Sequence, residues 1–336
     1  MLQQEAPHAT VPLITAVVAT YNEERHIRKS LTDLLNQRDV DGDVEILVVD
    51  GGSRDRTIDI IKSFPEFGSR IRLLRNPRRL QVYAWNIGIR HARGTYVTLL
   101  SAHVEYSPDF LQTSLETLER TGAANVGGVQ TAVADGALGS VIAWAMQSPF
   151  GIGNSHIRQA QKPTFADHSF TFFLKKLTLE QLGGFDESFE VNEDCDLNYR
   201  LRKSGRTVYC TPDIKVKYHA RSSLQGLARQ MYRYGFWRRR TQLKHPEYVP
   251  WRVNVPPTLL AGLLVSAGLF AARQTAAALI VPCVYGAFLL IGAARAVAKL
   301  KRPFPLILAP IVLCTMHLSF GLGWWVGFFS HRKSQL

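Results

Sequence analysis

The spacing of apolar residues changes several times along this chain, and each change predicts an element. Residues 13–19 form a β-rich run bounded by Pro12 and by Tyr21-Asn22-Glu23, which reads as a buried strand. Ile27, Leu31, Leu34 and Leu35 then fall on one face of a helix. A second β run, 44–50, ends at Gly51-Gly52-Ser53. A helix over 57–64, a strand over 71–74, a helix over 83–92 and a strand over 96–100 follow. Strands alternating with helices imply βαβ units and a mainly parallel sheet. Ligands bind such sheets at the carboxyl ends of the strands, which directs attention to residues 20–23, 50–55 and 101–103.

The second half is less regular. Gly127-Gly128-Val129 resembles a strand, 148–154 is a Pro/Gly-rich loop, and 178–182 is a short helix stopped by Gly183-Gly184. Residues 195–204 are amphipathic, with Leu197 and Leu201 on one side and Gly205 as the stop. Beyond Val253 the chain becomes mostly apolar in three stretches, 257–272, 275–294 and 305–329. A spanning helix needs about twenty apolar residues. The second stretch meets this, the first does so if it begins near Val253, and the third has Pro310 inside it. Three spans are expected; two spans and a re-entrant segment also fit. With three, Arg295 to Arg302 is cytoplasmic and His331-Arg332-Lys333 lies outside, against the charge rule. The resulting division is an α/β domain over 1–240, a basic juxtamembrane linker over 241–254, a membrane anchor over 255–330 and a basic tail over 331–336.

The formal net charge of +13 admits nucleic-acid binding, but its distribution points elsewhere. Lys215, Lys217, Arg221, Arg229, Arg233, Arg238, Arg239, Arg240, Lys244 and Arg252 cluster just before the apolar tail. Basic residues flanking a membrane segment suit the positive-inside rule and anionic headgroups. The expected surroundings are therefore inner-membrane lipids and no nucleic acid. Cys195, Cys210, Cys283 and Cys314 make no C-x-x-C pair, which suits a reducing compartment. The first apolar run is too short for a signal-peptide core, so the N-terminal part is expected in the cytoplasm.

Asp50-Gly51-Gly52-Ser53-Arg54-Asp55 places a carboxylate on a sharp turn after a strand. Such a carboxylate can accept hydrogen bonds from a base or ribose, or simply brace its own turn. Its neighbours add to it. Val17 to Glu23 precedes it, and Ala84 to Gly94 follows it, at similar distances. The three motifs together resemble the nucleotide-binding half of family-2 glycosyltransferases with the GT-A fold, an α/β Rossmann-like domain. The resemblance implies that Thr20, Tyr21, Glu23 and Asp50 hold the nucleoside of a UDP-sugar, with Asn86 and Ser101 in the same group. That family carries D-x-D where this chain has Ser101-Ala102-His103; a related succinoglycan-biosynthesis A-type group has D-A-H there. His103 is the expected ligand of a divalent cation, Mg or Mn, and a metal-free loop histidine is the alternative.

Gly183-Gly184-Phe185-Asp186-Glu187 and Asn192-Glu193-Asp194 resemble the family's acceptor-side motifs. By resemblance Asp194, with Glu193 beside it, is the general base of an inverting transfer; an acidic N-cap of the helix after it is compatible with that. Gln230-Met231-Tyr232-Arg233-Tyr234-Gly235 resembles the family's Q-x-x-R-W motif, placing Gly184, Gln230, Arg233 and Tyr234 on the diphosphate and acceptor side. An amphipathic basic helix on a membrane surface is the other reading of that segment. Ser148 to Asn154 is similar to a loop of the succinoglycan A-type group. The expected reaction moves a hexose, first glucose, from a UDP-sugar to a lipid-linked saccharide at a bacterial inner membrane, with the catalytic domain cytoplasmic. A polyprenyl-phosphate transferase and a non-catalytic nucleotide-sugar-binding membrane protein are the alternatives.

Overall fold

A computed structural model describes residues 13–38, 40, 43–152, 162–247 and 250–333, without the side chains of 331–333. Its strands are β1 (Ile14–Thr20), β2 (Val44–Asp50), β3 (Ile71–Arg75), β4 (Tyr96–Ser101), β5 (Val104–Tyr106), β6 (Asn125–Val133), β7 (Thr164–Phe165), β8 (Phe172–Lys175) and β9 (Val208–His219). Its helices are α1 (Ile27–Leu35), α2 (Thr57–Lys62), α3 (Gln81–His91), α4 (Phe110–Thr121), α5 (Gly136–Gln147), α6 (Lys176–Gln181), α7 (Glu193–Lys203), α8 (Leu224–Lys244), α9 (Val255–Ala271), α10 (Thr275–Leu300) and α11 (Pro305–Lys333). The chain divides into two compact units, Met1–Gln130 with Ala160–Lys217 and Thr131–Gln159 with Tyr218–Leu336.

The first unit is built on a mixed sheet of order β3-β2-β1-β4-β8-β6-β9-β5, with β7 paired to β9. β3, β2, β1 and β4 are parallel, in a register that sets Thr20 beside Asp50 and Ala19 beside Ser101. β8 runs antiparallel to β4. β1, β2 and β4 are buried on both faces, which is why they read as continuous apolar runs. Ile14, Ala16, Val18, Ile46 and Val48 share one core with Ile27, Leu31, Phe110 and Leu111 of α1 and α4. Val17, Leu47, Val49 and Leu99 share the other with Trp85 and Ile89 of α3 and Leu197 and Leu201 of α7.

The mainly parallel α/β architecture is the one expected. Six elements go beyond the sequence reading: α4, α5, β5, β7, β8 and β9. β8 is only four residues long, and β9 alternates Val208, Cys210, Ile214 and Val216 with outward polar residues around Pro212.

In the second unit α5 and α8 pack with the apolar helices. Val141, Ile142, Met146, Leu227 and Met231 share one core with Ala293, Ala296, Leu313 and Met316. The compact units therefore divide near residues 130 and 217 rather than at 240, because these two helices bury their apolar faces against α10 and α11. The stretch expected as a linker is also folded. Residues 241–244 continue α8, Trp251–Asn254 is a 3-10 turn, and Gln242 Nε2 donates to Asn254 Oδ1 at 2.9 Å. Among the described residues three helices are long and apolar enough to cross a membrane: Trp251–Ala271, Thr275–Leu300 and Pro305–Ser330. The third continues through Pro310.

Candidate active site

The parallel register brings the ends of β1, β2 and β4 side by side, and their loops are stitched together by hydrogen bonds. Asn22 stands in the left-handed region at φ 55°. Its amide donates to Ser53 Oγ at 2.9 Å, and its Oδ1 accepts from the Arg54 amide at 2.9 Å. Glu23 and Glu24 amides donate to Thr57 Oγ1 and Asp55 Oδ2. Burial raises the Asp55 carboxyl, but donors from Thr57 and Glu24 outweigh that and hold it below the usual carboxylate range.

Asp50 is buried and accepts from the Gly52 and Ser53 amides at 2.7 and 2.9 Å and from the Ser53 hydroxyl. Its carboxylate braces its own turn, and a carboxylate has about four acceptor positions in all. Thr20 Oγ1 beside it is buried and has no hydrogen-bond partner among the described residues. Tyr21 is half-exposed with the Arg79 guanidinium 5.5 Å from its ring centre.

On the other side of β1, the Tyr106 phenol closes the turn after β4. It donates to the Ser101 carbonyl at 3.0 Å and accepts from the Ser101 amide at 3.3 Å. Burial pushes the Tyr106 phenol far above its usual value, so it stays neutral. That turn presents His103, whose Nδ1 donates to Glu23 Oε1 at 3.1 Å. A carboxylate behind an imidazole fixes its tautomer and orientation, as the outer partners of metal-bound histidines do. Among the described residues no three His, Cys, Asp or Glu side chains form a metal-holding group. At this turn the described residues offer one imidazole, with Glu23 behind it.

Asn86, grouped above with the nucleotide contacts, joins α3 to the 184–187 loop. Its Oδ1 accepts from the Phe185 amide at 2.9 Å, and its Nδ2 donates to the Phe185 carbonyl at 2.9 Å and to Glu187 Oε1 at 3.1 Å. It pins the 184–187 loop to α3. Gly184 has φ 71°, and an ideal Cβ there would stand 2.7 Å from Asn86 Oδ1. Arg200 holds the same loop from α7, donating to the Leu182 and Gly184 carbonyls at 2.8 Å each while its Nε pairs with buried Asp196 at 2.8 Å. α7 starts after Asn192, a left-handed residue at φ 67°, with Glu193, Asp194 and Asp196 in its first turn. Asp194 Oδ1 accepts from the Cys195 amide at 2.8 Å.

The first unit thus joins Thr20, Tyr21, Glu23, Asp50, Ser101 and His103 at one strand edge, and carries Asn86, Gly184, Glu193 and Asp194 on the segments just described. Gln230, Arg233 and Tyr234 lie on α8 in the second unit, where Gln230 Nε2 donates to the Tyr218 and Tyr234 hydroxyls at 2.9 and 3.1 Å. Gly153 and Asn154 lie outside the described residues.

Sequence reasoning passed over the loop after β3. Buried Asn76 donates its amide to the Asp50 carbonyl at 2.7 Å and its Nδ2 to the Leu80 carbonyl at 2.9 Å. Arg78 pairs with Glu187 at 3.5 Å, and Arg79 has φ 63°. The Asn76-Pro77-Arg78-Arg79 turn after a strand was the available signal.

Comparison with known proteins gives this constellation its setting. The family described as glycosyl transferase family 2 matches residues 15–181. A dolichyl N-acetyl-alpha-D-glucosaminyl phosphate 3-beta-D-2,3-diacetamido-2,3-dideoxy-beta-D-glucuronosyltransferase of Methanococcus voltae is 30% identical over 230 residues, which are 66% of this chain and 71% of that protein. The succinoglycan biosynthesis protein ExoA of Rhizobium meliloti is 27% identical over 323 residues, 94% of this chain and 95% of its own. Among solved structures, TarS of S. aureus aligns with a TM-score of 0.48 at 16% identity, over 66% of this chain and 39% of that one.

Proposed function

We propose that this chain, which belongs to glycosyltransferase family 2, is an inverting transferase that moves a hexosyl unit from a UDP-sugar to a lipid-linked saccharide at the inner face of a bacterial membrane. That it is a glycosyltransferase of glycan biosynthesis, with a nucleotide-sugar donor and a glycan acceptor, follows from the family. UDP, glucose as the hexose, and the lipid-linked acceptor are the finer reading.

The observation that carries it is the Glu23–His103 pair beside the braced Asp50 turn, at the carboxyl edge of the parallel strands. A nucleoside suits that edge: Thr20 supplies a buried hydroxyl without a protein partner, Tyr21 and Arg79 supply a ring and a cation, and the Asp50 turn shapes the floor. Ser101 offers a hydroxyl to the ribose. The acceptor reading leans on the Methanococcus voltae relative, whose name gives a dolichyl N-acetylglucosaminyl phosphate as the molecule extended. It also leans on the three apolar helices.

In the reaction Asp194 takes the proton of the acceptor hydroxyl as that oxygen attacks the sugar C1. The bond from C1 to the diphosphate breaks, and the electron pair leaves with the nucleoside diphosphate. The resemblance of the segment from Gln230 to Tyr234 to the family's Q-x-x-R-W motif is what assigns Arg233, with Gln230 and Tyr234, to the support of that leaving charge. Glu193, next to Asp194 in the first turn of α7, keeps that turn acidic. A divalent cation, Mg or Mn, held by His103 would neutralise the leaving diphosphate.

The test is turnover of a panel of nucleotide sugars by the detergent-purified protein, with Mg or Mn and with EDTA. The acceptor arms are a lipid-linked saccharide and the bare polyprenyl phosphate, and Asp194→Asn is the control. Metal-dependent UDP release that needs the saccharide and is lost in the variant is expected. Transfer to the bare lipid phosphate would replace the acceptor reading, and tight UDP binding without turnover on any acceptor would remove the catalytic one.

A further inference from the structure

In the second unit one of the long apolar helices, α11, shares a layer with the strongly basic α8. α8 carries Arg229, Arg233, Arg238, Arg239, Arg240 and Lys244. α11 lies against it at backbone contact. An ideal Cβ at Gly235 would stand 2.0 Å from the Phe320 carbonyl oxygen, one at Gly323 2.0 Å from that of Tyr232, and one at Gly327 2.7 Å from that of Phe236. The Arg239 guanidinium lies 4.6 Å from the Trp324 ring centre and 4.8 Å from that of Phe328. Trp324 Nε1 donates to Gln242 Oε1 at 2.8 Å. Leu227 and Met231 of α8 share a core with Val312, Leu313 and Met316 further back along α11. A helix with this many cations is costly in the hydrocarbon layer, so a partner packed along it belongs to the same depth.

The contacts with α9 point the same way. Gly262 packs against Val281, so α9 and α10 form a hairpin with Arg273 at its tip. Gly321 and Trp325 meet the opposite end of α9. An ideal Cβ at Gly321 would stand 2.7 Å from the Pro256 carbonyl oxygen, and Trp325 Nε1 donates to the Pro257 carbonyl at 3.0 Å. One turn of α11 separates Gly321 from Trp325, a rise of about 6 Å; both residues meet Pro256 and Pro257, so along this turn α11 does not climb α9 toward its tip.

We propose that α11 does not cross the membrane: it lies with α8 in the lipid surface on the side of Arg302, and the chain crosses twice, by α9 and α10. Its outward face suits acyl chains. Ile307, Ile311, Leu322 and Phe329 are exposed there, flanking a groove lined by Pro310, Cys314, Thr315 and Leu318. The basic residues of α8 take the headgroup side. Arg295, Lys299, Lys301 and Arg302 then stand on the same side as Arg332 and Lys333, as the positive-inside rule asks, whereas a third crossing would separate them.

This rests on membrane insertion of the α9–α10 hairpin, part of the reading above, and the test separates the two. Arg273→Cys, Arg302→Cys and Ser330→Cys, each with Cys283 and Cys314 replaced by serine, are labelled with a membrane-impermeant maleimide in right-side-out and in inverted vesicles. In parallel, the chain with its native cysteines is fused at its end to alkaline phosphatase, which is active only outside the cytoplasm. Position 330 is expected to label from the side of 302 and opposite to 273, and the phosphatase to be inactive. Labelling of 330 with 273, or an active phosphatase, overturns the inference. If 330 is unreactive from both sides, the phosphatase decides. Labelling of 273 and 302 from one side would remove hairpin insertion and this inference together, leaving soluble transfer assays unaffected.

Discussion

Glu23 Oε1 lies 3.1 Å from His103 Nδ1, so one contact joins the loop after β1 to the turn after β4 across 80 residues of chain. The pair gives the imidazole a fixed orientation where the family's usual motif would supply a carboxylate. His103→Ala is expected to lower kcat/KM by about 10–100-fold, and Glu23→Gln by about tenfold, the range seen when metal ligands or their outer partners are removed. His103→Asp should keep most activity and shift preference from Mn toward Mg, because a carboxylate is the harder ligand. Steady-state rates over a metal titration check this. Equal loss in all three variants with an unchanged metal profile would take the cation away from His103.

The Asn86–Gly184 contact predicts a stability effect separate from chemistry. Gly184→Ala puts a Cβ at φ 71° and within 2.7 Å of Asn86 Oδ1, a position where strain of about 1–3 kcal/mol is expected. Asn86→Ala leaves the Phe185 amide and carbonyl without their side-chain partner, at about 1–3 kcal/mol. Both should lower the thermal midpoint in detergent. Because the two residues meet, the double variant should fall by less than the sum. Strict additivity would show that the pin is not the shared cause.

Much of this site was legible because strands buried on both faces write themselves as apolar runs, and their polar ends then stand out. Asp50, Thr20 and Ser101 stand out in that way in the sequence itself. The role of Asn86 was not, since its partners at 185 and 187 are a hundred residues away and two of its bonds go to backbone groups, which carry no sequence pattern. Arg200 was hidden for the same reason: its guanidinium reaches the carbonyls of Leu182 and Gly184. The packing of α8 on α11 was illegible because glycines permit it, and Gly235, Gly323 and Gly327 add nothing to a hydrophobic periodicity.

Buried Glu45 predicts a pH dependence. It accepts from Thr15 Oγ1 at 2.7 Å, from the Arg93 amide at 2.6 Å and from Arg93 Nε at 2.8 Å. Burial alone would raise its carboxyl, but these donors and the Arg93 charge outweigh it and leave the pKa below the ordinary value. A carboxyl depressed by folding contributes stability that is present above its unfolded pKa, about 4.3, and lost as pH falls through the folded value. Glu45→Gln should therefore melt below the parent at pH 7 and converge with it as the pH drops below about 4. Midpoints measured from pH 7 down to pH 3.5 check the sign; a constant gap would mean that shape, not charge, is what Glu45 contributes.

The glycine seam between α8 and α11 gives the last prediction. At Gly323 an ideal Cβ would fall 2.0 Å from the Tyr232 carbonyl oxygen, which belongs to a helix backbone and has no rotamer to change. The helices would have to separate, and the Arg239 stacking on Trp324 and Phe328 would loosen with them. Gly323→Leu should cost about 1–3 kcal/mol as overpacking does, read as a lower thermal midpoint in detergent. Gly268→Leu is the control: it also stands on an apolar helix, but nothing lies within 4 Å of its Cβ position, so its midpoint should stay near that of the parent. Arg233 and Tyr234 sit on the helix that would move, so Gly323→Leu should also lower turnover where Gly268→Leu does not. If both variants melt and turn over alike, the backbone contact between α8 and α11 is not what holds that layer together.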